Sequence, residues 1–219
     1  MDQYLTDVDV RVLGALIEKQ VTTPDNYPLS LNALIAACNQ SSNRHPVVAY
    51  DEETVLAAVQ RLRRASLVRA IQRSDSRVTK YEHIATDTLD LSSNELGLMC
   101  VLLLRGPNTI GELRTRTERL AKFESLAEVE TTLSALIERE KDPLVSRLPR
   151  RAGQKEVRFA HLLSGAVAAD NVYAHEVAAP VTRQSSDERI AALEQLVAEL
   201  RSEIGDMRQQ LQEFKKQFE

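Results

Sequence analysis

Val8, Val12, Leu13, Leu16 and Ile17 recur at spacings of three and four, which sets them on one face of a helix near the start of the chain. The breaker-rich stretch TTPDNYP stops that pattern, and Ser30 then offers an N-cap for a second helix over Leu31–Cys38. After a polar loop, NQSSNRHP, a third helix is announced by Asp51, Glu52 and Glu53, acids that suit the positive end of a helix dipole. Its apolar face is Val55, Leu56, Val59 and Leu62. LVRAIQR and RVTKYEHI flank the short polar turn SDS and read as a β-hairpin.

The same order then returns. Leu96, Met99, Leu102 and Leu103 mark a first helix that stops at Arg105-Gly106-Pro107, TIGELRTRT is a short second helix, and Val129, Leu133, Leu136 and Ile137 mark a third. LVSRL, PRRAGQ and EVRFAHLL close the unit as a hairpin, with Leu144-Val145 standing 77 residues after Leu67-Val68. Three helices followed by a β-hairpin make a winged helix, a variant of helix-turn-helix. The predicted fold is therefore mainly α with small β-hairpin wings: two tandem winged-helix domains over residues 1–85 and 86–164.

An Ala-rich segment with Pro180 and little periodicity, 165–186, reads as a linker. Beyond it, over 187–219, apolar positions alternate spacings of three and four without a break. Ile190, Val197, Ile204, Leu211 and Phe218 fall at a, and Leu193, Leu200, Met207 and Phe214 at d. Branched residues at a with Leu at d favour a parallel two-stranded coiled coil, so homodimerisation through this C-terminal helix is expected. The alternative is a helix folded back on its own domains, although that arrangement usually shows a broader apolar stripe.

Composition narrows the function classes. The longest apolar run, Leu98–Leu104, is seven residues, far short of a membrane span. The start, MDQYLTDVDV, has neither the basic n-region nor the apolar core of a secretory signal, so a cytoplasmic protein is expected. Cys38 and Cys100 are isolated among apolar neighbours and read as small core residues. Nine aromatics and no Trp argue against a base-stacking platform for single strands. The seven glycines form no phosphate-cradling motif, and His175-Glu176 lacks the second histidine of a zinc motif, because position 179 is Ala. His83 and His161 read as polar residues on or beside the wings. No catalytic constellation assembles, so a non-enzymatic protein without cofactor or metal is expected.

Charge points to a surface. The net charge of −4 belongs to the last quarter of the chain, since 1–85 and 86–164 are each neutral. Within those neutral segments the bases cluster. Arg61, Arg63 and Arg64 end the third helix, and Arg73, Arg77 and Lys80 continue along the first wing; Arg147, Arg150, Arg151, Lys155 and Arg158 line the second. Such residues suit duplex phosphates or a narrow minor groove. Against this stand the acids at both recognition-helix starts, Asp51, Glu52 and Glu53 in one unit and Glu124, Glu128 and Glu130 in the other. Two readings follow: a DNA-binding, regulator-like protein acting through basic wings, or a protein–protein scaffold that reuses the fold without touching nucleic acid. The loop CNQSSNRHPV is expected to cap itself, with Asn39 ending one helix; the competing reading makes Asn43 and Arg44 donors to a ligand.

The segments RVLGALIEKQVTTPDNYPLSLNALIAACNQSSNRHPV, SRVTKYEH, LLLRGPNTIGELRTRT and SRLPRRAGQKEVRFAHLLSG resemble the YceH-like bacterial proteins. The resemblance covers about residues 5–165 and implies the tandem winged-helix fold and a cytoplasmic location. It brings no catalytic or binding residues with it, and the heptads fall outside it.

Overall fold

The computed structural model describes residues 4–72, 78–150 and 156–165. The heptads, and the linker beyond Gly165, lie outside the described residues.

Helix α1, Asp7–Thr22, opens with a capping box. The Thr6 hydroxyl accepts from the Asp9 N–H at 3.3 Å, while the Asp9 carboxylate accepts from the Thr6 N–H at 2.9 Å. A 3-10 turn at Pro24–Asn26 leads to strand β1, Leu29–Ser30, then to α2, Leu31–Cys38, and α3, Glu52–Arg64. Ser30 and Asp51 cap α2 and α3. Strands β2, Val68–Ile71, and β3, Lys80–His83, follow. A single helical turn, α4 at Ala85–Thr88, joins this half to the next.

The second half runs α5, Ser93–Arg105; β4, Asn108–Thr109; α6, Ile110–Thr117; α7, Leu126–Ile137; β5, Val145–Arg147; and β6, Arg158–His161. Among the described residues this gives seven α-helices and two antiparallel three-stranded sheets, ordered β1-β3-β2 and β4-β6-β5. Element order and strand order thus repeat from one half to the other.

The sheets carry one strand more than the hairpins the sequence suggests. Leu29 pairs with Tyr81 and Asn108 with Phe159. The reason lies in the caps. Ser30 and Thr109 are N-caps, held in extended backbone at φ −68, ψ 164 and φ −77, ψ 165. An N-cap stands outside helical space while its side chain bonds the first turn, so the residues just before each helix are already shaped to pair with a strand.

The one-face reading of the first helix needs correction as well. In α1 every residue from Asp9 to Glu18 is buried, and in α5 every residue from Leu96 to Leu104. Helix α1 is enclosed by α2 and α3 of its own half and by α5 of the other. At the crossing, a Cβ on Gly14 would lie 2.9 Å from the Leu104 side chain, so glycine is what lets the helices approach. The Cys100 thiol sits 3.5 Å from the Gly14 carbonyl. Two backbone bonds also cross between halves, from the Leu5 N–H to the Leu163 carbonyl at 2.8 Å and from the His45 N–H to the Leu104 carbonyl at 2.9 Å. Apart from Leu148 and Ala160, the buried apolar side chains of both halves form a single cluster among the described residues.

Candidate nucleic-acid interface

Of the eleven basic residues singled out from the sequence, Arg73, Arg77, Arg151 and Lys155 lie outside the described residues. Three others face carboxylates, Arg61 and Arg158 closely and the exposed Arg147 loosely. Arg61 holds the buried carboxylate of Asp9 through Nε and a terminal nitrogen, each 2.9 Å from Oδ1. Arg158 reaches Glu112 at 3.1 Å and the Pro107 carbonyl at 3.0 Å. Arg147 lies 4.0 Å from Glu130 and 5.5 Å over the Phe159 ring. Arg63 and Arg64 in the last turn of α3, Lys80 at the start of β3, and Arg150 are exposed. The register Ile71↔Lys80 sets Lys80 at the opposite end of the ladder from Val68, about 10 Å along the strand.

The two candidate recognition helices differ. The exposed residues of α3 run from Glu52 and Glu53 at its start to Gln60, Arg63 and Arg64 at its end. Those of α7 are Leu126, Ala127, Glu130, Thr131 and Ala135, none of them basic. The bases of α6 are exposed but engaged within their own half. Arg114 donates to the Glu124 carbonyl at 3.2 Å, and Arg116 bonds Asn108 and lies 3.5 Å from Glu112.

The loop between α2 and α3 is internally satisfied, as the self-capping reading expects. Asn39 donates to the Tyr50 carbonyl and accepts from the Tyr50 N–H, both at 2.8 Å. Arg44 is not a surface donor. It is 5% exposed, donates to the Ala37 carbonyl at 3.1 and 2.9 Å, and bonds Glu18 at 3.0 and 2.6 Å. Arg11, equally enclosed, donates to the carbonyls of Cys38 at 3.3 Å and Pro46 at 2.6 Å. Burial lowers its pKa, and the nearby Arg44 charge pushes the same way. Ala37 and Cys38 end α2, where the last carbonyls lack intrahelical partners and the dipole is negative. Two guanidiniums therefore close one helix end. The signal was in the sequence: Arg11 stands between Val10 and Val12 at the head of the apolar run Val12–Ile17.

A concavity of about 600 Å³ lies where the halves meet, lined by Ile17, Gln20, Arg69, His83, Asp87, Leu96 and Leu120 among others. His83, read as a polar surface or strand-end residue beside the wing, does end β3 but is 4% exposed. Its Nε2 stands 2.7 Å from Gln20 Oε1, its N–H donates to the Tyr27 hydroxyl at 2.8 Å, and its Nδ1 has no partner among the described residues. His161 holds the matching place in the second half and has the same unpartnered Nδ1. Burial lowers both imidazoles to about 4, against the opposing pull of Asp87 and Asp7. Arg69 and Glu82 pair across the strands beside the cleft. Burial pushes the Cys38 thiol up to about 12 and Cys100 higher still, so neither is a ready nucleophile. Among the described residues no group of three or more His, Cys, Asp or Glu is placed to hold a metal ion, and no helix is long and apolar enough to cross a membrane.

The comparisons agree on one relationship. Residues 5–154 match the family described as "Protein of unknown function, DUF480". A UPF0502 protein of Pelobacter propionicus is 48% identical over 221 positions, covering all of both chains. Another from Geobacter sulfurreducens is 51% identical over 222 positions, again covering all of both. One from Vibrio parahaemolyticus is 51% identical over 216 positions, 97% of this chain and 98% of the relative. With its duplicated helix-and-sheet unit matched through nearly its whole extent, the chain belongs to the DUF480 family of bacterial proteins, the family of the YceH-like resemblance.

Proposed function

We propose that this chain is a non-enzymatic, cytoplasmic tandem winged-helix protein that binds duplex DNA through its phosphates, led by the first half, and dimerises through its C-terminal heptads. The observation that carries the reading is the exposed trio Arg63, Arg64 and Lys80, without ion pairs among the described residues, on the third helix and wing strand of a unit whose order suits a winged helix. The acids opening α3 and the bare face of α7 argue against base reading, so binding should be weakly sequence-selective.

Three phosphate contacts give a salt exponent near −2.7, so affinity should fall about 40-fold between 50 and 200 mM salt. Engaging both first halves of a dimer doubles the exponent and raises the loss to about 10³-fold. Fluorescence anisotropy with random-sequence duplexes reads this directly. Arg63→Glu with Arg64→Glu should remove most of the binding, and retention of wild-type affinity would exclude the first half as the contact surface.

A second reading has its own observation. The face of α7, with Leu126 half exposed beside Ala127, Thr131 and Ala135, is shaped more for a protein than for a polyanion. A chain that fails to bind duplex even at 20–50 mM salt supports this scaffold role instead.

A further inference from the structure

Apart from the wide cleft, a small cavity of about 50 Å³ opens between the halves, bounded by Glu18 and Thr22 of α1, Asn43 of the α2–α3 loop, Arg105 ending α5, and Arg116 and Arg119 on and after α6. That is room for a few waters or one tetrahedral oxyanion. Its charge is unbalanced. Of the nearby carboxylates, Glu18 is engaged by Arg44 at 2.6 Å and Lys19 at 3.8 Å. Glu112 is divided between Arg116 at 3.5 Å and Arg158 at 3.1 Å. Arg105 bonds only the neutral side chain of Asn43, and Arg119 has no ion pair among the described residues. Burial, together with the adjacent Arg116 and Arg44 charges, lowers the pKa of Arg105.

Three guanidiniums line this partly enclosed space, and the two carboxylates beside it, Glu18 on its wall and Glu112, are shared with Arg44, Lys19 and Arg158, which leaves positive charge in excess among the described residues. Guanidinium forks match the paired oxygens of phosphate, and their attraction grows as water is excluded. We propose that Arg105, Arg116 and Arg119, with Asn43, form a binding site for a single phosphate group at the junction of the two halves. The site does not rest on duplex binding by α3, whose Arg63 and Arg64 belong to another element. The phosphate can come from a small phosphorylated ligand, for which inorganic phosphate is the probe, or from a nucleic-acid backbone.

The test is the melting temperature of the full chain in phosphate against chloride at matched ionic strength, with NMR of the arginine Nε–H groups as a readout independent of stability. A dissociation constant near 1 mM gives a rise of roughly 3–6 °C at 10 mM phosphate. The rise should vanish in Arg105→Gln and in Arg119→Gln, the second being an exposed substitution that leaves packing intact, and should persist in Arg64→Gln. Duplex binding by the same variants separates the sources. Unchanged duplex affinity assigns the site to a small phosphorylated ligand. A phosphate response absent from wild type, combined with duplex affinity lost in Arg119→Gln but kept in Arg64→Gln, assigns it to a backbone phosphate. A phosphate shift that survives in Arg105→Gln and Arg119→Gln, or no response of the wild type to either probe, overturns the proposal.

Discussion

Two buried groups dominate at the scale of single residues. Arg44 and Glu18 form a paired, hydrogen-bonded ion pair with the arginine side chain fully enclosed. Removing one member leaves the other charged and buried, which costs about 3–5 kcal/mol. Arg44→Leu should therefore lower the denaturant midpoint sharply at unchanged slope, whereas Asn43→Ala on the exposed side of the same loop should move it far less. His83 makes stability depend on pH. Its native pKa, about 4, lies below the ordinary 6.5 that the unfolded chain regains. Between those values the unfolded chain binds the proton and the native one does not, so the contribution is complete above pH 6.5 and fades as pH falls to 4. At about 1.4 kcal/mol per unit, this amounts to about 3 kcal/mol. Melting temperatures across that window should fall less steeply in His83→Gln than in wild type; parallel curves would show that the ring does not govern the acid response.

At the scale of elements, the caps and the central crossing bear the structure. Ser92 and Glu95 reproduce at α5 the box that Thr6 and Asp9 form at α1, and Ser92→Ala should cost about 1 kcal/mol by thermal melting. Gly14→Val sets branched carbons against Leu103 and Leu104, and overpacking of this kind costs about 1–3 kcal/mol. A Gly14→Val variant as stable as wild type would mean that the crossing has slack. The helices were legible because a three–four spacing of apolar residues survives in α3, α5 and α7, and the repeat because Leu67-Val68 and Leu144-Val145 open matching strands. β1 and β4 were not, since two-residue strands have no period to detect. Nor could spacing reveal that α1 is covered on every side, because the second covering surface is α5, some eighty residues away. The same limit applied to the charges. A run of arginines shows how many cations exist; that Arg61 answers Asp9 and Arg158 answers Glu112 depends on separations of 52 and 46 residues.

At the scale of the molecule, the single apolar cluster predicts that residues 4–165 unfold together. Circular dichroism and calorimetry should report one coincident transition, and a fragment ending at residue 88 should not fold, because it would expose the side of α1 that α5 covers. Deleting 187–219 should leave that transition in place and, on the proposed dimerisation through the heptads, reduce the mass in light scattering to that of a monomer; a truncated chain that is still dimeric would move the interface into the helical body. The crossing of α1 and α5 has one consequence more. Two binding modules on a supple tether search space separately, and the length of the tether sets their joint strength. Here no tether intervenes: the gap between α3 and α7 is cut once, when the core closes, like the jaws of a locked calliper. A target offering two contacts at any other spacing would be gripped on one side only, so selectivity can reside in a distance even where no side chain reads a sequence.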